Sequence, residues 1–104
     1  MDKPEAISLT DSIDYQKDAV VSKTLIKKEA GTVTLFAFDA GQELSEHTAP
    51  YDALAHILDG AAEWRVGGQS INAPAGTVVM LPANVPHAVV ARQPFKMLLT
   101  MIRA

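Results

Sequence analysis

Short apolar segments separated by turn residues run along most of this chain. From Ala19 onward they are rich in Val, Ile, Leu, Thr and aromatic side chains, and turn residues interrupt them roughly every 8–12 residues. Residues of these types are favoured in β-strands, and that spacing is typical of a sandwich or a barrel. Glycine and proline break the sequence too often for a helix-length pattern with a 3.6-residue period. The pattern therefore predicts an all-β domain.

Turn signals mark where the strands begin and end. Asp59-Gly60 lies between two apolar segments and predicts a tight hairpin, and Gly67-Gly68 predicts a second tight turn. Prolines fall at strand boundaries, where they remove no ladder hydrogen bond. The predicted strands are Val20–Ile26, Val33–Phe38, Ala53–Leu58, Ala61–Val66, Ser70–Ala73, Thr77–Leu81, His87–Ala91 and Phe95–Ile102. Short antiparallel strands of this number in one small chain predict a double-sheet jelly roll.

Composition narrows the class of protein. The chain has 104 residues, which predicts a single domain, 1–104, with a polar and loosely ordered lead-in over residues 1–17. Its net charge of −3 offers no basic surface for nucleic acid or an anionic membrane, so neither is an expected partner. The longest apolar run, Ala53–Leu58, is interrupted by His56 and is too short to span a bilayer. The absence of cysteine is compatible with a reducing compartment, and we expect a cytoplasmic location.

Two segments of the chain each run from a glycine to a histidine. They are G-Q-E-L-S-E-H, over Gly41–His47, and G-T-V-V-M-L-P-A-N-V-P-H, over Gly76–His87. Each combines a turn, a strand and a histidine near the strand end. Together they resemble the two signature motifs of the cupin superfamily. The matching positions are Gly41, His47 and Gly60 in the first motif, and Gly76, Pro82 and His87 in the second.

The resemblance implies a double-stranded β-helix, or jelly-roll, barrel with a metal site inside and a homodimeric assembly. The chain departs from the motifs at four positions. Ala49 stands where the first motif has its second histidine, and Ala53 where it has a glutamate. Asn84 replaces a glycine and Ala91 the final asparagine of the second motif. Asparagine tolerates a left-handed backbone, so the loop that contains Asn84 is expected to keep its shape.

Two of the four metal-ligand positions implied by the resemblance, His47 and His87, remain in this chain. We expect their rings to meet inside the barrel, where they would hold a divalent transition metal (zinc, nickel, iron, manganese or copper) only weakly, or none. A third ligand would have to come from His56 or Asp52. His56 has the opposite strand parity to Ala53 and should face away from the pocket unless a bulge reverses it. Asp52 would have to reach inward from a loop.

Tyr51 and Met80 are the other candidates for lining the pocket beside His47 and His87. The main functional hypothesis is a protein that binds a small molecule in this pocket. One alternative is a metal-dependent enzyme, such as a dioxygenase, isomerase or lyase, acting on a small organic acid or sugar. Another is a structural or regulatory dimer with a vestigial pocket. The last strand, Phe95–Ile102, is largely apolar on both faces, which favours a homodimer because its outer face needs a cover.

Overall fold

Nine β-strands form the framework of residues 3–103, the part of the chain that the computed structural model describes. They are β1 (Val20–Lys28), β2 (Gly31–Phe38), β3 (Glu43–His47), β4 (Asp52–Asp59), β5 (Ala61–Val66), β6 (Gln69–Pro74), β7 (Val78–Leu81), β8 (His87–Val90) and β9 (Phe95–Ile102). The predicted all-β jelly roll is confirmed. Residues 3–103 contain no helix, and therefore none that is long and apolar enough to cross a membrane.

The strands form two antiparallel sheets that face each other. One sheet has the order β1-β2-β9-β4-β7 and the other the order β3-β8-β5-β6. Strand β9 lies between β2 and β4, so the end of the chain is hydrogen-bonded to segments that are distant in sequence. The register pairs Phe38 with Phe95 and, in the other sheet, His47 with His87. These two pairs lie at opposite ends of the barrel.

The turns carry the backbone geometry that their residues predict. Gly60 and Gly67, in the β4–β5 and β5–β6 turns, have φ angles of 70° and 57°. Asn84 has a φ angle of 64°, so the asparagine takes the left-handed conformation at the position where the resemblance implies glycine. The loop that leads to His87 therefore keeps its form despite the substitution.

The core between the sheets is most tightly packed around Phe38 and Phe95, which define the packed end of the barrel. Both rings are fully buried, and they stack with centroids 4.6 Å apart and planes inclined by 12°. Small side chains surround them and let the two sheets approach each other. These are Ala55, Ala62, Ala73 and Ala91, all of them buried.

Part of the lead-in, around Leu9, Ile13 and Tyr15, packs on the outer face of the five-stranded sheet, whereas residues 3–8 are exposed. Ile13 is only 6% exposed and contacts Leu35 and Ala37, which point outward from β2. The Lys96 ammonium donates a hydrogen bond to the Thr10 carbonyl at 2.6 Å. Burial of these outward-facing apolar side chains explains why a mostly polar segment is held in place. Met1 and Asp2 lie outside the described residues.

The rest of this outer face has no cover from the described residues. Leu54, Val78, Met80 and Ile102, which we call the uncovered patch, are 41%, 49%, 66% and 50% exposed. A groove of about 450 Å³ runs between Leu54, Met80 and Ile102. The outer side of β9 is thus partly covered by the lead-in and partly open at its end.

Candidate functional site

His47 and His87 meet at one end of the barrel, which we call its open end; His47 is exposed there and His87 is half-buried. The two residues are direct partners in the β3–β8 ladder, and a register irregularity between Leu44 and His47 precedes the contact. Their ring centroids lie 4.3 Å apart, with the planes inclined by 68°. The ladder therefore brings together two imidazoles that are forty positions apart in the chain.

A cavity of about 110 Å³ lies beside the histidine pair. Tyr51 lines it, and so do Ala49 and Ala53, the positions where the motif resemblance implies further metal ligands. Its remaining lining is mostly apolar: Leu44, Trp64, Leu81, Val89, Met97, Leu99 and Met101. The site is thus a small, largely apolar space with two imidazoles at its edge.

Backbone carbonyls determine which nitrogen of each imidazole is available. The Nδ1 atom of His47 lies 2.8 Å from the Ser45 carbonyl oxygen, and that of His87 lies 3.2 Å from the Val85 carbonyl oxygen. A carbonyl oxygen can only accept, so Nδ1 must be the donor in both rings. In the neutral rings Nε2 then keeps its lone pair. Each histidine can offer this nitrogen to a hydrogen-bond donor or a metal.

Comparison with known proteins identifies the family to which this barrel belongs. A family model of the cupin domain matches residues 34–102, which is well over half of the chain. The chain belongs to the cupin family. The match includes both histidines and every residue that lines the cavity. No match is found among curated proteins.

Solved structures share this cupin barrel over nearly the full chain. A conserved protein of unknown function from Streptococcus pyogenes is 31% identical, with a TM-score of 0.93 over 100% of this chain and 91% of that protein. A cupin 2 conserved barrel domain protein from Leptotrichia buccalis is 38% identical, with a TM-score of 0.90. The match covers 93% of this chain and 47% of the Leptotrichia chain. A cupin superfamily protein from Desulfitobacterium hafniense is 29% identical, with a TM-score of 0.89 over 98% and 92% of the two chains.

The residues of this cupin do not fit a firmly held metal ion. Among residues 3–103 no three histidine, aspartate or glutamate side chains form a group that could hold one. Catalytic zinc sites use three protein ligands and structural sites use four. Here two imidazoles are present, and the alanines at positions 49 and 53 supply no donor atom.

The structure brings neither suggested third ligand into the cavity. His56 lies between Ala55 and Ile57, which are buried in the core, so strand alternation directs His56 to the opposite, outer face. Asp52 is exposed, and its Oδ1 atom accepts a hydrogen bond from the Ala83 amide at 2.8 Å. The parity expected for His56 therefore holds, and Asp52 stabilises a loop instead of reaching inward.

Met80 is also misplaced by the sequence interpretation, which puts it in the pocket. It is 66% exposed and lies in the uncovered patch, because Val79 and Leu81 on either side of it point into the core. Conversely, the sequence interpretation misses Trp64, which is 3% exposed and lines the cavity. Alternation along β5 is the signal that could have found it, since Ala62 and Trp64 share the buried face.

The environment of His87 favours its neutral form. Burial lowers the pKa of His87 below its usual value, and repulsion from a charged His47 lowers it further. The hydrogen bond to Val85 opposes these effects without outweighing them. At neutral pH the Nε2 lone pair of His87 is therefore available to a ligand.

The loop that follows His47 and the loop that precedes His87 are joined to each other by hydrogen bonds. The Asn84 amide donates to the Ala49 carbonyl at 2.8 Å, next to the bond between Ala83 and Asp52. The left-handed backbone of Asn84 belongs to this connection. The loop after His47 and the loop before His87 thus hold each other at the mouth of the cavity.

Proposed function

We propose that this cupin binds a small molecule in its interior cavity, beside His47 and His87, without a firmly held metal. The observation that supports the proposal best is the composition of the cavity wall. Two imidazoles are retained there, whereas Ala49 and Ala53 leave space where the motif resemblance implies further ligands. A ligand can occupy that space and use the histidine nitrogens as hydrogen-bond acceptors.

The size of the cavity restricts what it can hold. Pockets for drug-sized ligands measure roughly 300–1,000 Å³, and this cavity measures about 110 Å³. The ligand is therefore small, or leaves part of itself outside. Met97 and Met101 line the wall, and their flexible thioethers can adapt to its shape.

A metal-dependent enzyme acting on a small organic acid or sugar is the alternative. It would require the substrate itself to supply the third donor, since the described residues supply two imidazoles and no more. Zinc, nickel, iron, manganese or copper would then be held weakly and would exchange with buffer. The binding function needs no such addition, and we prefer it for that reason.

Metal analysis tests this preference directly. The protein should be purified without a nickel column, dialysed, and assayed for transition metals. We expect much less than one equivalent, and we expect the double variant Ala49→His/Ala53→Glu to retain metal under the same conditions. One equivalent of metal surviving dialysis in the wild type would favour the enzyme. If the double variant gains none, the donor positions are wrongly assigned.

Ligand binding is tested with the histidines as reporters. A panel of neutral, acidic and basic molecules of about four to eight non-hydrogen atoms, a size range set by the cavity, should be screened by thermal shift and by NMR of the imidazole rings. We expect at least one to raise the melting temperature and to shift the His47 and His87 signals. The rise should disappear in His87→Ala and persist in the outer-face control His56→Ala.

We also propose that a second copy of the chain covers the uncovered patch. An isologous contact would bury Leu54, Val78, Met80 and Ile102 of both copies at once. The lead-in already covers the neighbouring part of the same face, so the sheet behaves as a surface that requires a cover. Dimerisation, the cytoplasmic location and the absence of nucleic-acid and membrane partners remain predictions.

Light scattering tests the dimer. The wild type should show about twice the 11.1 kDa mass of one chain at micromolar concentration. Met80→Lys places a charge in the patch and should shift the mass toward the monomer, whereas Gln69→Lys makes the same charge change on an exposed position of the other sheet. A monomeric wild type would exclude this assembly.

A further inference from the structure

The end of β9 continues the wall of the cavity toward solvent. Alternate side chains of this strand line the cavity: Met97, Leu99 and Met101. Arg103 is the next residue in that series. Its backbone amide donates a hydrogen bond to the Ala30 carbonyl at 2.7 Å, one step beyond the last pair of the β2–β9 ladder. The extended backbone therefore continues to Arg103, and alternation gives its side chain the same direction as that of Met101.

Tyr51 stands beside this arginine. Tyr51 directly precedes Asp52, which pairs with Ile102, so Tyr51 and Arg103 are opposite each other on the same side of neighbouring strands. The Arg103 guanidinium lies 5.6 Å from the centroid of the Tyr51 ring, and Tyr51 itself lines the cavity. Contact with an aromatic ring favours a guanidinium and restricts its position. The positive charge of Arg103 is thus held at the rim of the cavity.

The described part of the chain does not neutralise this charge. Arg103 is exposed, and no carboxylate of residues 3–103 forms an ion pair with it. Asp52, next to Tyr51, has the opposite strand parity and accepts a hydrogen bond from the Ala83 amide. The lining of the cavity contains no lysine, arginine, aspartate or glutamate from the described residues. A ligand therefore meets one positive charge at the rim and a largely apolar wall further in.

A charged rim beside an apolar interior favours a ligand with one ionised end. A guanidinium binds a carboxylate through two parallel hydrogen bonds. An ionised carboxylate only accepts hydrogen bonds, so the Nε2 lone pairs of His47 and His87 do not stabilise it, and its burial without a partner is unfavourable. A phosphate carries more charge and is commonly bound at a helix N-terminus, which residues 3–103 do not contain. The carboxylate is therefore the better match.

We infer that Arg103 binds the carboxylate of a small monocarboxylic acid whose apolar part occupies the cavity beside His47 and His87. The cavity of about 110 Å³ holds only part of such a molecule, and the ionised end stays at the rim in contact with water. A hydroxyl or amide group on the inner part of the ligand would donate to Nε2 of either histidine. This inference rests on the proposed binding function and adds the chemical class of the ligand.

Butyrate, butyramide and butylammonium are suitable probes. They have similar apolar chains and are anionic, neutral and cationic at neutral pH. Binding is measured at low ionic strength by titration of the imidazole NMR signals of His47 and His87. We expect butyrate to bind about three- to fivefold more tightly than butyramide, which corresponds to one ion pair at an exposed site. Butylammonium should bind most weakly, and high salt should reduce the preference for butyrate.

Three variants separate the charge of Arg103 from the net charge of the chain. Arg103→Gln should reduce the preference for butyrate to less than about 1.5-fold and leave the binding of butyramide unchanged. Arg92→Gln, the matched control, removes the same charge from an exposed arginine that pairs with Glu63, and it should keep the preference. Arg103→Lys keeps the charge without the two-bond geometry and should retain part of it. Circular dichroism confirms that each variant is folded.

The possible failures are distinguishable. If butyrate and butyramide bind equally, or if Arg103→Gln leaves the preference unchanged, the inference is overturned. The binding function then stands, because the histidine signals report both probes. A preference lost equally in Arg92→Gln would assign the effect to net charge and also overturn the inference. If no probe shifts the histidine signals the inference fails, and the binding function fails with it when the wider panel of neutral, acidic and basic molecules gives no shift either.

Discussion

At one end of the barrel Phe38 and Phe95 stack and fill the space between the sheets, whereas at the other end His47 and His87 border a cavity. Strand β9 contributes to both ends, with Phe95 at its start and Met101 near its finish, on the same face. Phe38 and Phe95 at the packed end are fully buried, whereas Met101 at the open end is partly exposed. One strand therefore contributes to the packed core at its start and to the cavity wall at its finish.

Alanine has opposite effects in the two places. At the packed end Ala55 and Ala62 accompany large aromatic rings, so their small size permits close packing. At the open end the neighbouring rings, those of Tyr51, Trp64 and the two histidines, leave the space beside Ala49 and Ala53 unfilled, and a cavity results. The difference teaches that a small residue creates a cavity only where its neighbours leave the volume unfilled.

The largest effect should come from removing an aromatic ring at the packed end. Phe95→Ala deletes a fully buried ring that stacks on Phe38, and we expect a loss of about 3–5 kcal/mol in the free energy of unfolding. Met101→Ala, on the same face of the same strand, should cost less than about 2 kcal/mol because its site is partly exposed. Urea denaturation measures both. Equal losses would remove the distinction between the two ends.

Glycine substitutions in the turns should show the same contrast at lower magnitude. A Cβ atom at Gly60 would collide with the backbone carbonyl of Pro94, next to Phe95, and the φ angle there is already positive. At Gly67 it would lie 3.2 Å from a methyl group of Val85, which can move. We expect Gly60→Ala to cost about 3 kcal/mol and Gly67→Ala about 1–2 kcal/mol. Thermal unfolding of the two variants checks the order, and the reverse order would contradict it.

Substitutions of the histidines should leave the fold intact and change binding. We expect His47→Ala and His87→Ala to alter the free energy of unfolding by less than about 1 kcal/mol. Both should abolish the weak uptake of added zinc in equilibrium dialysis, because one remaining imidazole does not retain the ion. His56→Ala, on the outer face, serves as the control. If His56→Ala loses zinc equally, the orientation assigned to His56 is wrong.

The smallest effect concerns pH. The pKa of His87 is lowered in the folded state, so the unfolded chain binds its proton more readily. This contribution to stability is complete above the unfolded pKa, about 6.5, and decreases as the pH falls below that value. Denaturation midpoints at successive pH values should show the decrease in the wild type. The His87→Gln variant should show less of it, and an unchanged slope would assign the effect to other groups.

The sequence predicts most of the strands and turns because local chemistry determines them. Strand β3 is missing from the strands predicted by pattern, since its residues are mostly polar and exposed. The bounds of β5 and β9 agree with those predicted, since each strand is flanked by turn residues or proline. The left-handed geometry of Asn84 also follows from its residue type. The pairing of His47 with His87 depended on the family resemblance, because no local pattern specifies a contact between segments so far apart.

Two features could not be predicted, and each has a physical reason. Strand β7 reads Val-Val-Met-Leu, so both of its faces are apolar and alternation cannot tell which side Met80 occupies. In the lead-in, Leu9 and Ile13 are scattered among polar residues, and their burial depends on outward-facing side chains of a distant strand. Where tertiary packing determines which side chains are buried, the local sequence pattern does not predict it.

The two hydrogen bonds between the loop after His47 and the loop before His87 have a consequence for how molecules enter and leave the cavity. The amide hydrogens of Ala83 and Asn84 are donated across the cavity mouth, to Asp52 and Ala49 respectively. A fluctuation that widens the mouth must release both, so the two loops open together as one local unit. Deuterium exchange at these two amides then reports the opening of the cavity mouth.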